Sequence, residues 1–348
     1  MFSKDVLLDI LYSILAIIMA LLVGAVLIKF TGHSVSEAYY YLFFGAFGSS
    51  YNFAQTLLKT IPLIFSGLAV AVAFQCGLFN IGGEGQLYWG ALATAVTALT
   101  FSNLPSLILI PLSLAVGAAA GALWAFVPGL LKAETGAHEV ITTIMFNYIG
   151  ILGTTYLLKN YFKAEGPVDQ TDKIPGAARL PEIIPQTRLT WAIFIGIILI
   201  IIIYFLLNNT SLGYDLKAVG ENNDAAEYGG IKSKKVIIYA MMLSGAVAGL
   251  TGSTMVMGVL HRFITNFSPG YGFTGIAVAV LGRNKPFGVL LAALLFGVLE
   301  SGGMAMQLFA KIPSDLMTVV QGLVILFVSA PAVYQIINTH LSKIRGGQ

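Results

Sequence analysis

The stretch GLFNIGGEGQLYWGALATAV, residues 77–96, decides how this chain is read. It follows an apolar run from Ile61 to Phe74, most of a membrane span. Where a charged loop is expected, the sequence instead supplies Asn80, Gly82, Gly83, Glu84, Gly85 and Gln86. An Ala-rich apolar helix begins at once. Glycine at this density lets backbone leave helical geometry and lets other groups approach it closely. Asn80 ahead of Glu84 and Gln86 reads as a helix start, with acceptors near unpaired N–H groups. In a membrane protein, unwound backbone beside a helix N-terminus is tolerated only where it is buried or lines a cavity, and transporters place substrate sites there. Asn80, Glu84 and Gln86 are therefore expected to line a pathway. The alternative is a tight cytoplasmic turn between two spans.

Composition sets the class. Of 348 residues, 57% are hydrophobic and only 10% charged, against roughly 25% charged in soluble domains. The chain is a polytopic membrane protein of all-α type. A net charge of +3 is too mild to suggest a nucleic-acid partner. The single cysteine, Cys76, excludes an internal disulfide, and four scattered histidines offer no metal site. The apolar run from Val6 to Ile28 exceeds a signal-peptide core and reads as a retained first span.

A span needs roughly 20 apolar residues. Segment 35–48, rich in Tyr and Phe, is too short and suits an interfacial helix. Spans are expected at about 54–75, 84–101, 105–131, 140–158, 190–207, 236–258, 287–309 and 314–337, with a short element at 268–281. Pro111 and Pro128 mark kink points in the span at 105–131. The proline-rich segment 159–188 is a loop, not a soluble domain, and Lys343 and Arg345 form a basic tail. The whole chain is thus one permeation domain of about ten crossings, broken or re-entrant near 77–86, with both termini on one side. A cytoplasmic placement of that side gives ten Lys/Arg inside and nine outside, so charge does not set orientation. Gly-rich breaks followed by Ala/Val helices at 77–96 and 268–281 suggest two related halves.

GYGFTG at 270–275 matches a dinucleotide fingerprint only literally, because no strand precedes it. No Gly-Lys dipeptide occurs, so the chain has no phosphate-binding loop for ATP. GAAAG (117–121) and GAVAG (245–249) suit close helix packing. Glu300, inside a predicted span, is either a functional carboxylate or a hydrogen-bonded tie between helices. Asn147 is the strongly polar side chain deep in its span and reads as pathway lining, with interhelical bonding as the alternative. No nucleophile–base or metal arrangement points to an enzyme.

SLGYDLKAVGENNDAAEYGGIKSKK, residues 211–235, predicts a short solvent-side helix. Asn222 or Asn223 caps it, Asp224 lies in its first turn, Ala225 and Ala226 continue it, and Gly229-Gly230 stops it. A solvated linker helix is one reading. A compact helix suited to a partner's groove is the other.

Four stretches carry a family resemblance: FNIGGEGQ (79–86), HEVITTIMFNYI (138–149), LKAVGENNDAAEYGGI (216–231) and SPGYGFTGIAVAVLGRNKPFG (268–288). They resemble inner-membrane permease subunits of bacterial ATP-binding cassette importers. The chain is identified as a member of the branched-chain amino acid and simple-sugar permease superfamily, nearest its nucleoside-import branch, from about Ala54 to Val333. Gly83 stands where many relatives carry Ala.

The resemblance implies that 216–231, with Gly220, Glu221, Asn222, Asn223, Asp224, Ala225, Ala226, Gly229 and Gly230, is a cytoplasmic coupling segment that docks on an ATPase subunit. It implies a second, homologous permease in a heterodimer, two ATPases that bind the ATP, and an external lipid-anchored binding protein. It places the chain in a bacterial inner membrane with both termini cytoplasmic, no cofactor of its own, and a nucleoside as substrate. A simple-sugar permease is the nearest alternative. A secondary transporter driven by ions through Glu84 and Glu300 is a third reading.

Overall fold

The computed structural model describes residues 4–313 and 315–327; the expected last span at 314–337 lies partly outside the described residues, and Lys343 and Arg345 lie wholly outside them. Among the described residues the fold is all-helical, with only two isolated β-bridges, Gln170 to Ile264 and Glu182 to Thr190. The helices in order are α1 (Lys4–Phe30), α2 (Val35–Phe47), α3 (Ser50–Gln75), α4 (Gly83–Thr100), α5 (Ser106–Thr135) and α6 (Glu139–Leu157). Then follow α7 (Ala192–Asn209), α8 (Ser211–Glu221), α9 (Asn223–Tyr228), α10 (Ser233–Met255), α11 (Tyr271–Leu281), α12 (Pro286–Phe309) and α13 (Asp315–Phe327). One π-helical turn extends α6 to Phe162 and another extends α10 to Leu260. Among the described residues, six helices are long and apolar enough to cross a membrane: α3, α5, α6, α7, α10 and α12.

The chain divides into two compact units, one of residues 1–56 with 295–348, the other of residues 57–294. In the first, small residues bring helices together. A Cβ on Gly302 would lie 2.4 Å from the Leu42 carbonyl oxygen, and one on Gly24 would lie 2.8 Å from Val320. Ser301 Oγ donates to the Gly45 carbonyl at 3.1 Å. Glu300 is half-buried in this unit.

The second unit is built on α4, α5 and α10. The two glycine patterns meet each other. A Cβ on Gly121 would lie 2.2 Å from the Gly245 oxygen, one on Gly249 would lie 2.5 Å from the Gly117 oxygen, and one on Gly90 would lie 2.3 Å from the Gly249 oxygen. Without side chains at these positions the backbones approach closely, the packing that small-xxx-small patterns allow. Polar glue runs through the seam: Thr94 Oγ1 donates to Ser253 Oγ at 2.7 Å.

Helix α5 continues through Pro111 and Pro128, so neither proline ends it. It runs to Thr135, past the expected end at 131, and stops where Gly136 turns left-handed at φ 69°. The Lys132–Glu139 ion pair at 2.8 Å then closes the short link to α6. Helix α11 has 11 residues, about 16 Å at 1.5 Å per residue, half the roughly 30 Å of a hydrocarbon core.

Candidate functional site

The break ahead of α4 starts at Gly77, whose φ of 67° only glycine adopts freely. The Gly77 N–H donates to Phe74 O at 3.0 Å and the Leu78 N–H to Ala73 O at 3.1 Å, which satisfies the last carbonyls of α3. Residues 78–81 are irregular, and α4 begins at Gly83 with Gly82 as its N-cap. The expected cap, Asn80, acts one step earlier. Its Oδ1 accepts the Gly82 N–H at 2.9 Å, a local turn rather than a helix cap.

Four elements converge on this segment. Asn80 and Gln86 form a reciprocal amide pair, Asn80 Nδ2 donating to Gln86 Oε1 at 3.0 Å and Gln86 Nε2 to Asn80 Oδ1 at 3.1 Å. Asn80 Nδ2 also donates to Ser244 Oγ of α10 at 2.8 Å, and Ser244 Oγ donates to the Ala69 carbonyl of α3 at 2.6 Å. From α6, Asn147 Oδ1 accepts the Gly85 N–H at 2.7 Å while its Nδ2 donates to the Ile81 carbonyl at 2.7 Å. Thr143 Oγ1, one turn earlier, accepts the Ile81 N–H at 3.3 Å. Asn80, Gln86, Asn147 and Ser244 are at most 2% exposed. Buried polar atoms must be paired, and these pair with one another and with the unwound backbone.

Glu84 reaches a different target. Its Oε2 accepts the Gly272 N–H at 2.7 Å, in the first turn of α11. Ser268 Oγ takes two more first-turn donors, Gly270 N–H and Tyr271 N–H, each at 3.1 Å. The starts of α4 and α11 therefore abut, and a carboxylate stands where unpaired N–H groups and helix dipoles favour an acceptor. Contact is backbone to backbone: a Cβ on Gly272 would lie 2.4 Å from the Glu84 nitrogen. Gly83, by contrast, has room, since its Cβ would meet Gly272 Cα at an ordinary 3.6 Å.

Asn80, Gln86 and Asn147 thus come together on the unwound segment, Glu84 turns instead to the start of α11, and Glu300 lies in the other unit. Sequence reasoning missed Ser244, Thr143, Ser268 and Gly272. The signal for Thr143 was present, because Thr143, Asn147, Gly150 and Thr154 form one buried stripe along α6 at helical spacing. Ser268 ahead of Pro-Gly is likewise a helix-start pattern.

The 211–235 segment folds as its residues dictate. Asn222 caps α9, its Oδ1 accepting the Ala225 N–H at 2.9 Å. Gly230 at φ 87° ends it, and the Ile231 N–H returns to Ala226 O at 3.0 Å. Ala226 is buried, Ala225 exposed, and Tyr228 is 97% exposed. The Lys234–Glu134 ion pair at 2.8 Å ties the following helix start to α5. One contact joins this segment to the first break: a Cβ on Gly220 of α8 would lie 2.3 Å from the Gln75 oxygen and 3.0 Å from the Gly77 nitrogen.

Comparison with known proteins matches residues 52–329 to the family described as branched-chain amino acid transport system / permease component. The guanosine ABC transporter permease protein NupP of Bacillus subtilis is 39% identical, the alignment covering 96% of this chain and 97% of the relative. The nucleoside ABC transporter permease protein NupB of Lactococcus lactis is 36% identical over 97% and 96% of the two chains. The glucose ABC transporter permease protein TsgB13 of Haloferax volcanii is 35% identical over 90% and 85%. The two bacteria each have a second, more distant relative, NupQ and NupC, with the same descriptions as NupP and NupB. No solved structure matches the chain.

Proposed function

The chain belongs to the family of branched-chain amino acid transport system permease components, and on that premise we propose that it is the membrane path of an ATP-binding cassette importer for a nucleoside. Near-full-length likeness to NupP and NupB supports the substrate class. The structural observation that carries the mechanism is the backbone contact of Gly220 with Gln75 and Gly77. It links a solvent-side helix suited to docking directly to the start of the unwound segment. In this reading ATP is hydrolysed by separate subunits that dock on α9, and α8 transmits their movement to the break at 77–82. The chain itself makes and breaks no covalent bond.

Asn80, Glu84, Gln86 and Asn147 form the gate of the path. In the state described here their polar groups are turned on one another or on backbone. A carboxamide offers one acceptor and two donors, the pattern of a nucleobase edge. The Asn80–Gln86 pair can therefore open toward a base and exchange one set of hydrogen bonds for another. A ligand shifts such an equilibrium only by binding the open state better.

The finer topology belongs to the same proposal: about ten crossings with a re-entrant segment at 77–86, an interfacial α2, an external 159–188 loop and both termini cytoplasmic. So does the assembly, a heterodimer with a homologous permease, served by ATPases and a lipid-anchored binding protein in a bacterial inner membrane. The paired relatives support the second permease. A simple sugar is the second reading, favoured by the likeness to a glucose permease.

The test is uptake by the reconstituted complex of labelled nucleosides, ribose and glucose. Nucleoside uptake is expected to need the ATPase subunits and to persist when the proton gradient is collapsed with ATP maintained. Sugar uptake without nucleoside uptake overturns the substrate, and ion-driven uptake by this chain alone overturns the importer reading.

A further inference from the structure

A groove of about 600 Å³ opens on the side of α7, lined by Ile201, Ile202, Phe205, Leu206, Thr210 and Leu212. It has no place in the path proposed above. Helix α7 is the most apolar of the six span-length helices, and Ile201, Ile202 and Phe205 are each more than half exposed. Ile201, Phe205 and Asn208 follow one another at i, i+4 and i+7, so they share one face of the helix. The apolar floor therefore runs toward Asn208, and there the Lys217 Nζ donates to Asn208 Oδ1 at 2.9 Å.

The groove is held in shape by the bend between α7 and α8. Thr210 Oγ1 donates to Leu206 O at 2.6 Å and accepts the Gly213 N–H at 3.2 Å. A Cβ on Gly213 would lie 2.2 Å from the same Leu206 oxygen, so α8 folds back in backbone contact with α7.

We propose that this groove binds a membrane phospholipid, its acyl chain along Ile201, Ile202 and Phe205 and its phosphate on the Lys217 ammonium. The volume lies within the roughly 300–1,000 Å³ of small-ligand pockets. The apolar lining rejects polar solutes, while the Lys217 ammonium, beyond the lining on the Asn208 side, selects an amphiphile with an anionic group toward that side. Asp215, half-buried two residues before Lys217 on α8, leaves the bend with no net positive charge. The attraction is thus a local contact to phosphate and not a general pull on an anionic surface. Because α8 leads straight into α9, a lipid here also stiffens the link between membrane and docking helix. The inference does not depend on which solute is transported.

Native mass spectrometry of the purified full-length chain tests it, with phosphatidylglycerol and phosphatidylethanolamine titrated into detergent. Wild type is expected to retain one more phospholipid per chain than Ile202→Trp or Leu212→Trp, which fill the groove from its two walls. Phe194→Trp, on α7 but outside the groove, keeps the lipid and controls for added bulk. Lys217→Gln keeps the groove open and is expected to weaken retention several-fold. Equal lipid counts in wild type and both groove-filling variants, at matched thermal stability, overturn the proposal. So does a full complex in which the groove is closed to lipid while the isolated chain binds it, which would make the face a subunit contact.

Discussion

The break at 76–82 and the break at 261–270 pose the same physical problem, and their sequences solve it differently. Each delivers a bare helix N-terminus into a low-dielectric interior, where unpaired N–H groups cost several kcal/mol. The first is held by side chains from three helices: Ser244 of α10, Thr143 and Asn147 of α6, and Gln86 of α4 itself. The second mixes side chains with backbone: Tyr88 Oη of α4 accepts the Ser268 N–H at 3.4 Å and Thr171 Oγ1 accepts the Phe263 N–H at 3.1 Å. Ser268 caps it locally, Glu84 reaches over from α4, and backbone of the proline-rich loop pairs along 257–265. In that pairing Thr171 N–H donates to Phe263 O and Ile174 N–H to His261 O, each at 2.9 Å. Left-handed turns at His261 (φ 55°), Asn266 (φ 54°) and Gly270 (φ 97°) let the chain follow the loop. The first break is therefore a polar hub, and the second is a strap, stitched largely by backbone, that leans on α4 through Glu84 and Tyr88.

The point where they meet is where the arrangement breaks most easily. Gly272→Ala sets a methyl 2.4 Å from the Glu84 nitrogen and 2.8 Å from its Cα, both backbone atoms with no room to yield. The expected result is a loss of about 3 kcal/mol or more and no transport. Gly83→Ala, facing the same seam from the other side, is expected to unfold and transport as wild type does. Thermal unfolding in detergent with uptake by the assembled complex checks both. If both alanines are tolerated, the two helix starts are not in contact.

Asn147→Ala comes next, because it orphans the Gly85 N–H and the Ile81 carbonyl together. At roughly 1–3 kcal/mol for each unsatisfied buried group, a loss of about 2–6 kcal/mol in unfolding free energy is expected, with transport falling in step. Glu84→Ala removes one acceptor from the second break and is expected to cost about 1–3 kcal/mol. Glu84→Gln keeps an acceptor oxygen and is expected to cost less than half as much and to retain more transport. Full activity in both Glu84 variants at normal expression would show that the second break stands without the Glu84 side chain.

Much of this was legible in the sequence, because the relevant physics is local. Glycine density located the first break, Asn147 stood out as the polar residue of its span although the α6 stripe around it was missed, and Asn222 with Gly229-Gly230 delimited α9 almost to the residue. Gly117, Gly121, Gly245 and Gly249 announced close packing, although their spacing could not say that the two patterns pack on each other. The exact partners were not legible. Glu84 lies 188 residues from Gly272, and Asn80 lies 164 from Ser244. Nothing in the spacing of either pair says that they meet. A lone serine within an apolar helix has the same appearance whether it bonds its own backbone or a neighbour's side chain.

The smallest effect tests the far end of the second break. Asp169 accepts from Lys163 at 2.8 Å and from Lys159 at 2.9 Å, and its own carbonyl takes the Thr265 N–H at 3.1 Å. The hydrogen bonds from Lys163 and then Lys159 hold its carboxyl below the usual range for aspartate. A depressed folded-state pKa means that the stabilising contribution is present above the unfolded value, near 3.9, and is lost as pH falls through the folded value. The pair is exposed to solvent and screened by salt, so the effect is slight at neutral pH. Asp169→Asn is expected to leave transport near wild type at pH 7 while raising protease cleavage within 163–174. In wild type the same cleavage, read with an acid-active protease, is expected to rise as pH drops below about 4, and in Asp169→Asn it should change little over that range. An identical pH profile in the two proteins would mean that the loop's backbone pairing alone secures the strap, and that the ion pairs at its end contribute nothing to the second break.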